Sequence, residues 1–159
     1  MQTRQQKDAL RALEDVLAIL EQAKSKSGKD GEEFKKSYAT AVHRFPFLIR
    51  QNGLQQTLAF YAGKAEAKKD EREQDGKNTA EGQFLDQILM ILSLHTGQGS
   101  VEILQKLAGV DLQSYMLHTR RCLEVALWYR RFVETVLKID ATGASTEQTA
   151  SKEETHGGD

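Results

Sequence analysis

Apolar residues recur at three- and four-residue spacing near the start of the chain: Leu10, Leu13, Leu17 and Leu20. That spacing places them on one face of an α-helix, so the pattern predicts an amphipathic helix from Gln5 to Ala23. Residues 24–31 contain two glycines and several short polar side chains, which favour turns over helix. We therefore expect a second helix to run from about Glu32 to Arg44.

The single proline lies in the middle of the next apolar stretch. Pro46 disfavours helical geometry at Phe45 but is tolerated in the first turn of a helix, so a new short helix is expected to begin there. Asn52 and Gly53 then supply a helix stop. Because Leu54, Leu58 and Tyr61 continue a helical spacing, another helix is predicted after that corner.

The second half of the chain has three further apolar stretches. Thr79 is placed to cap a helix with Gly82 in its first turn, and its dense apolar residues predict the most buried helix of the protein. A short helix is expected from Ser100, and Asp111 is a reasonable cap for a last helix over residues 112–139. Trp128 is predicted to be buried on the apolar surface of that last helix.

Two segments lack this patterning. Residues 64–78 balance five basic and five acidic side chains with almost no large apolar group, so they form either a solvated helix extension or a loop. Residues 140–159 are rich in Ser, Thr, Glu and Gly and bury too little surface to offset the entropy of ordering. The predicted fold is all-α, a compact bundle of about six helices in residues 1–139 with a disordered acidic C-terminal tail.

The charge distribution is uneven although the chain as a whole carries −1. The predicted tail holds five acidic residues against one lysine, a net −4, which leaves +3 on residues 1–139. Residues 24–50 contain seven basic residues against three acidic ones, and residues 112–139 contain five against two. Such clusters permit a polyanionic partner, although a mild basic excess also serves solubility.

The residues that usually carry chemistry are scattered. The four histidines show no metal-ligand spacing, no glycine-rich phosphate loop is present, and Cys122 stands alone, so we expect no metal, no cofactor and no disulfide. His118 lies one helical turn before Cys122, but nothing supplies a third group or an oxyanion hole. The chain is therefore not expected to be an enzyme. Because the sequence shows neither an apolar signal core nor a membrane span, we expect the protein in the cytoplasm.

Residues 51–60, QNGLQQTLAF, place uncharged polar side chains between apolar ones. These side chains are either ordinary helix-end and exposed positions or a surface whose amides bind a partner. The segment closely resembles the signature of the small-subunit family of the type III-B CRISPR–Cas (Cmr) effector complex. Residues 128–134, WYRRFVE, resemble that family's C-terminal helix.

The resemblance implies a non-catalytic helical subunit that stacks beside the repeating backbone subunits and helps hold guide RNA and target RNA for antiviral defence. Its implied partners are the other CRISPR effector subunits and the two RNAs, without a membrane. Guide pairing reads sequence in RNA-guided systems, so contacts to the RNA backbone are expected. The alternatives are a helical protein–protein adaptor without RNA contact, a nucleic-acid-binding module outside CRISPR, and a cryptic enzyme.

Two basic regions are candidates for RNA contact. Around the Pro46 corner they are Lys35, Lys36, Arg44 and Arg50, and on the last helix they are Arg121 and Arg130. The candidate partner-interface residues are the amides Gln51, Asn52, Gln55 and Gln56. Arg120, Arg131 and Lys138 form a further stripe that is expected to be an ordinary exposed face, paired with the nearby Glu124 and Glu134.

Overall fold

Six α-helices and one π-helical turn make up the part of the chain that the computed structural model describes, residues 1–70, 79–94 and 100–143. They are α1 (Arg4–Ser25), α2 (Gly28–Asn52), α3 (Leu54–Asp70), α4 (Ala80–Ile91), α5 (Ser100–Ala108), α6 (Leu112–Phe132) and the π-helical turn Val133–Leu137. The predicted all-α fold is confirmed. Most of the predicted disordered tail, residues 144–159, lies outside the described residues, as do residues 71–78 of the charged segment.

The connection between α1 and α2 is shorter than the sequence predicts. It consists of Lys26 and Ser27, because α2 already begins at Gly28 rather than at Glu32. Gly31 lies so close to α1 that a Cβ at this position would overlap the carbonyl oxygen of Ala23. The absence of a side chain at Gly31 therefore permits the two helices to approach closely at this end.

Helix α2 runs through Pro46 without a break, so the prediction of a new helix at that residue is wrong. A proline inside a helix costs about 3 kcal/mol because it removes one backbone hydrogen bond and crowds the preceding turn. Helix α2 packs against α1, α3, α4 and α6 and buries Tyr38, Val42, Phe45 and Ile49. Burial of those side chains outweighs the local penalty of the proline.

Gly53 ends α2, as predicted. Its φ of +83° lies in the region that favours glycine, and its amide donates to the carbonyl oxygen of Ile49 at 2.9 Å. Helix α3 begins at the next residue. The corner therefore turns the chain so that α3 packs against α2 and α4.

Phe84 of α4 lies at the centre of the aromatic core. Its ring makes edge-to-face contacts with Tyr38, Phe45, Tyr61 and Tyr129, with ring centroids 5.1 to 6.1 Å apart. These partners come from α2, α3 and α6, so one side chain joins four helices. Eight of the twelve residues of α4 are buried, which confirms that it is a densely buried helix. Its predicted Thr79 cap accepts the Gly82 amide at 3.1 Å.

The C-terminal end of the bundle differs from the predicted continuous helix. Helix α6 gives way to the π-helical turn at Val133, and Lys138 adopts a left-handed conformation with φ of +59°. Asp111 caps the start of α6 as predicted, since its carboxylate accepts the Ser114 amide at 2.9 Å. Cys122 is fully buried, as expected for a core residue.

Trp128 is not buried, contrary to the sequence prediction. It is 36% exposed and stacks on Phe132 with ring centroids 6.0 Å apart. The line of α6 that faces the core passes through Val125 and Tyr129 and continues into the π-helical turn at Val133, and all three residues are nearly inaccessible. Trp128 precedes Tyr129 by one residue, and the helical rotation of about 100° carries its ring away from that line.

No helix within the described ranges combines the length and apolar character needed to cross a membrane.

Candidate nucleic-acid interface

A cleft of about 220 Å³ opens between α2 and α3 and collects several basic side chains. Lys36 and Arg44 line it from α2, and Lys64 lines it from α3. Lys36, Thr40 and Arg44 follow one another at four-residue steps, which places them along one side of α2. The structure therefore brings together two of the predicted RNA-binding residues, Lys36 and Arg44, and adds a third cation from the neighbouring helix.

The deep side of the cleft is held in place by buried groups. Tyr61 lines it, and the tyrosine hydroxyl donates a 2.6 Å hydrogen bond to the carbonyl oxygen of Ala41. The Tyr61 ring packs edge-to-face on Phe45 at 5.4 Å. Burial raises the pKa of the Tyr61 hydroxyl, so this group stays protonated and keeps donating its hydrogen bond. The cleft is thus preformed between two fixed helices.

The net charge of the cleft is positive. Glu81 of α4 also lines it and offsets one of the three cations, which leaves about +2 on the lining side chains. The hydroxyls of Ser37 and Thr40 add hydrogen-bond donors beside these charges. Such a lining favours a phosphate or another anion over a cation.

The other two candidates near the corner lie apart from the cleft lining. Lys35 bonds Glu32 at 2.6 Å, and its side chain is only 18% exposed, so this lysine serves a local ion pair. Arg50 is exposed in the last turn of α2. Six residues separate it from Arg44, which turns the two side chains about 120° apart around the helix.

The candidates on α6 do not form one surface. Nine residues separate Arg121 from Arg130, which places them on opposite sides of the helix. Arg121 binds Asp8 of α1 at 3.3 Å, so it links two helices of the bundle. Arg130 is half-buried, and its Nε has no hydrogen-bond partner among the described residues. In the neighbouring stripe, Arg120 pairs with Glu124 at 3.0 Å, as expected for a solvated face.

The four candidate amides divide between surface and interior. Gln51, Asn52 and Gln56 are exposed around the Gly53 corner. Gln55 instead donates from its side chain to the carbonyl oxygen of Leu104 at 3.3 Å, and its backbone amide donates to the Tyr115 hydroxyl at 3.2 Å. Gln55 therefore joins α3 to α5 and α6, and three amides remain available to a partner.

Metal ligation and thiol chemistry each depend on where particular side chains lie. No group of three or more His, Cys, Asp or Glu residues there could hold a metal ion. Burial raises the pKa of the Cys122 thiol well above its usual range, which disfavours the nucleophilic thiolate. His95 and His156, two of the four histidines, lie outside the described residues.

Lys64 and Phe60 are among the cleft residues that sequence reasoning missed. Lys64 belongs to the charged segment to which no function was assigned, and Phe60 was noted only as the end of the signature. Phe60 is 42% exposed, and the Lys64 ammonium lies 5.1 Å from the centre of its ring. The four-residue spacing of an aromatic and a lysine on a predicted helix was the available signal.

The sequence also matches known proteins. A family model described as "CRISPR-associated protein (Cas_Cmr5)" matches residues 4–136, from the first residue of α1 into the π-helical turn. Among solved structures, the chain is similar to a CRISPR-associated Cmr5 family protein from Thermus thermophilus. The two share 26% sequence identity with a TM-score of 0.58, over 86% of this chain and 99% of that chain. No curated protein matches the sequence significantly.

Proposed function

The chain belongs to the Cmr5 family, the small-subunit family of the type III-B CRISPR effector complex, and on that premise we propose that it helps hold guide and target RNA. In this proposal it stacks beside the repeating backbone subunits within the cytoplasmic complex and contacts the RNA through its phosphates. The observation that carries the proposal is the α2–α3 cleft, where Lys36, Arg44 and Lys64 line one cavity. Phosphate contacts of this kind fix position without reading sequence.

The proposed role involves no catalysis by this chain. Cys122 is buried and its thiol is held protonated, and His118 on the same helix is at most half-exposed. General acid–base or nucleophilic chemistry needs a reactive group at a surface that substrate can reach. Target cleavage is therefore assigned to other subunits of the complex.

The exposed amides of the Gly53 corner are proposed to contact a neighbouring subunit. Gln51, Asn52 and Gln56 present donors and acceptors to solvent at the junction of α2 and α3. Gln55 supports this surface from inside through its bonds to α5 and α6. Substitution of Gln55 is expected to disturb the fold as well as any contact, so it is unsuited to a test of the interface alone.

A second candidate function is that of a protein–protein adaptor without RNA contact. It is favoured by the apolar side chains that α6 exposes: Leu112, Met116, Leu117, Leu127 and Trp128. Exposed apolar patches often mark sites of protein–protein contact. In that case the cations of the cleft would serve only solubility.

Charge substitution in the cleft separates these two functions. Lys36→Ala with Arg44→Ala should weaken RNA binding by the purified full chain about equally for different sequences. For single strands, the slope of log affinity against log salt should fall by about 0.7 for each lost phosphate contact. The matched control is Lys7→Ala with Lys29→Ala, which removes the same charge from exposed positions outside the cleft.

The RNA-contact function predicts a larger effect from the cleft pair than from the control pair, with both variants folded and assembled. If the cleft variant binds RNA with the same affinity and the same salt slope as the unaltered chain, RNA contact through the cleft is rejected and the adaptor function is favoured. A changed sequence preference would contradict contact through phosphates.

A further inference from the structure

An aromatic ring and a lysine share one wall of the cleft. Phe60 exposes 42% of its surface, and the Lys64 ammonium lies 5.1 Å from its ring centre. Both residues belong to α3 and face the α2 cations Lys36 and Arg44 across the cleft. Proteins that bind single-stranded nucleic acid combine these two elements, since bases stack on aromatic rings while cations bind the backbone.

We infer that the cleft binds an unpaired nucleotide of an RNA strand, with its base stacked on Phe60 and with Lys36, Arg44 and Lys64 bound to phosphates of that strand. This inference rests on the proposed function, because it takes RNA as the partner. It goes further by naming the strand state that is recognised and the side chain that recognises it. Duplex RNA is not expected to use Phe60, since paired bases are already stacked on their neighbours.

The cleft is small. Its volume of about 220 Å³ is below the range of about 300–1,000 Å³ that is usual for sites of drug-sized ligands. A single base is a group of that smaller class, whereas a double helix meets a protein across an extended groove. The cleft therefore suits a base that is turned out of a strand, with the backbone along its open side.

The spacing of the cations suits an extended phosphate backbone. Eight residues separate Lys36 from Arg44, a rise of about 12 Å along α2, so they lie at the two ends of the cleft wall. Thr40 lies between them and adds a hydroxyl. Lys64 approaches from α3. Charges spread along a wall follow a strand, whereas charges that converge on one point would select an isolated anion.

The Lys64 ammonium has a second role in this arrangement. In the free protein it lies over the Phe60 ring, which is a weak attraction at an exposed site, about 0.5–1 kcal/mol. A phosphate is a stronger partner for an ammonium, because both groups are charged. Entry of the nucleotide moves the ammonium to the phosphate and opens the ring face to the base.

The test compares Phe60→Ala with Phe47→Ala in the purified full chain. Phe47 is an exposed phenylalanine of α2, at 61%, outside the cleft lining, so it controls for loss of an exposed aromatic. Binding of fluorescently labelled single-stranded RNA and of a matched RNA duplex is measured by fluorescence anisotropy. Phe60→Ala should weaken single-strand binding about 5- to 160-fold, the effect of removing one base-stacking aromatic. Duplex binding should be unchanged, and Phe47→Ala should match the unaltered chain.

Two conservative variants keep the test decisive if Phe60→Ala fails to fold. Phe60→Leu retains an apolar side chain without a stacking ring and should behave like the alanine variant, whereas Phe60→Trp should bind at least as well as the unaltered chain. If the unaltered chain binds single strands and the Phe60 variants bind equally well, the nucleotide site is overturned and phosphate contact stands. If it binds neither strand form, the proposed RNA contact fails as well.

Discussion

The Tyr129 hydroxyl donates a 2.6 Å hydrogen bond to a carboxylate oxygen of Asp15, joining α6 to α1 inside the bundle. Arg11 lies 3.3 Å from the other carboxylate oxygen, so both oxygens of this buried acid have partners. A buried carboxylate without partners would be expensive. The last helix of the bundle is thus tied to the first by a polar contact within an apolar core.

Tyr129→Phe should lower the free energy of unfolding by about 1.5–3 kcal/mol, because it leaves a buried charged acceptor without its donor. Tyr38→Phe is the matched control, since the Tyr38 hydroxyl donates at 2.6 Å to a neutral acceptor, Gln87. Tyr38→Phe should lower the free energy of unfolding by only about 0.5–1.5 kcal/mol. Denaturant unfolding measures both, and equal losses would show that the charge of Asp15 does not strengthen its bond.

Asp15 should also make stability depend on pH in an unusual direction. Burial raises its pKa above the usual 3.8, although the Tyr129 hydrogen bond and Arg11 oppose the shift. The folded state then holds the proton more tightly than the unfolded chain does. The contribution of Asp15 to stability is therefore greatest below pH 3.8 and declines as pH rises toward the raised pKa.

The comparison with Asp15→Asn isolates this effect from the other carboxylates. The unfolding free energy of the unaltered chain minus that of Asp15→Asn should fall as pH is raised from about 3 to 7. Denaturant titrations at several pH values give the difference. A difference that grows with pH would mean that the folded state favours the ionised carboxylate.

Gly31→Ala should destabilise the protein by about 1–3 kcal/mol, since the added methyl group overlaps the Ala23 carbonyl and must push α1 and α2 apart. Gly28→Ala provides the control. It lies three residues earlier on the same helix with no atom within 4 Å of an added Cβ. Because alanine has a higher helix propensity than glycine, Gly28→Ala should raise the free energy of unfolding by up to about 1 kcal/mol. Thermal unfolding measures both variants. Equal shifts in melting temperature would contradict the close approach of α1 and α2 at Gly31.

Trp128, the single tryptophan, reports on the outer side of α6. Because it is 36% exposed, its fluorescence should be red-shifted and readily quenched by acrylamide in the isolated chain. Trp128→Ala should cost less than the about 3–5 kcal/mol that a buried aromatic costs. Blue-shifted emission that resists quenching would place the ring in the core instead.

The sequence was sufficient for the fold class because helical spacing of apolar residues is a local property. The Gly53 stop and the Thr79 and Asp111 caps were also predictable, since each depends on a few adjacent residues. Pro46 and Trp128 were not predictable in this way. Long-range packing decides whether a helix tolerates a proline, and a rotation of one residue decides whether an aromatic lies inside or outside.

The candidate site was predictable only in part. Excess positive charge marked residues 24–50, but it did not distinguish Lys36 and Arg44, which line the cleft, from Lys35, which pairs with Glu32. Arg121 resembled a surface cation in sequence, yet its partner Asp8 lies 113 residues away. Contacts between distant segments decide which charges remain available, and a single sequence does not contain them.

Cross-linking of RNA within the assembled effector complex tests the central claim most directly. Ultraviolet cross-linking of the complex loaded with single-stranded guide RNA alone, followed by peptide mapping of this subunit, should recover RNA on the α2 and α3 segments that contain Arg44 and Phe60. Phe60→Leu should reduce the α3 cross-link while the subunit stays in the complex. Cross-links on other subunits, with none on these two segments, would contradict RNA contact through the cleft.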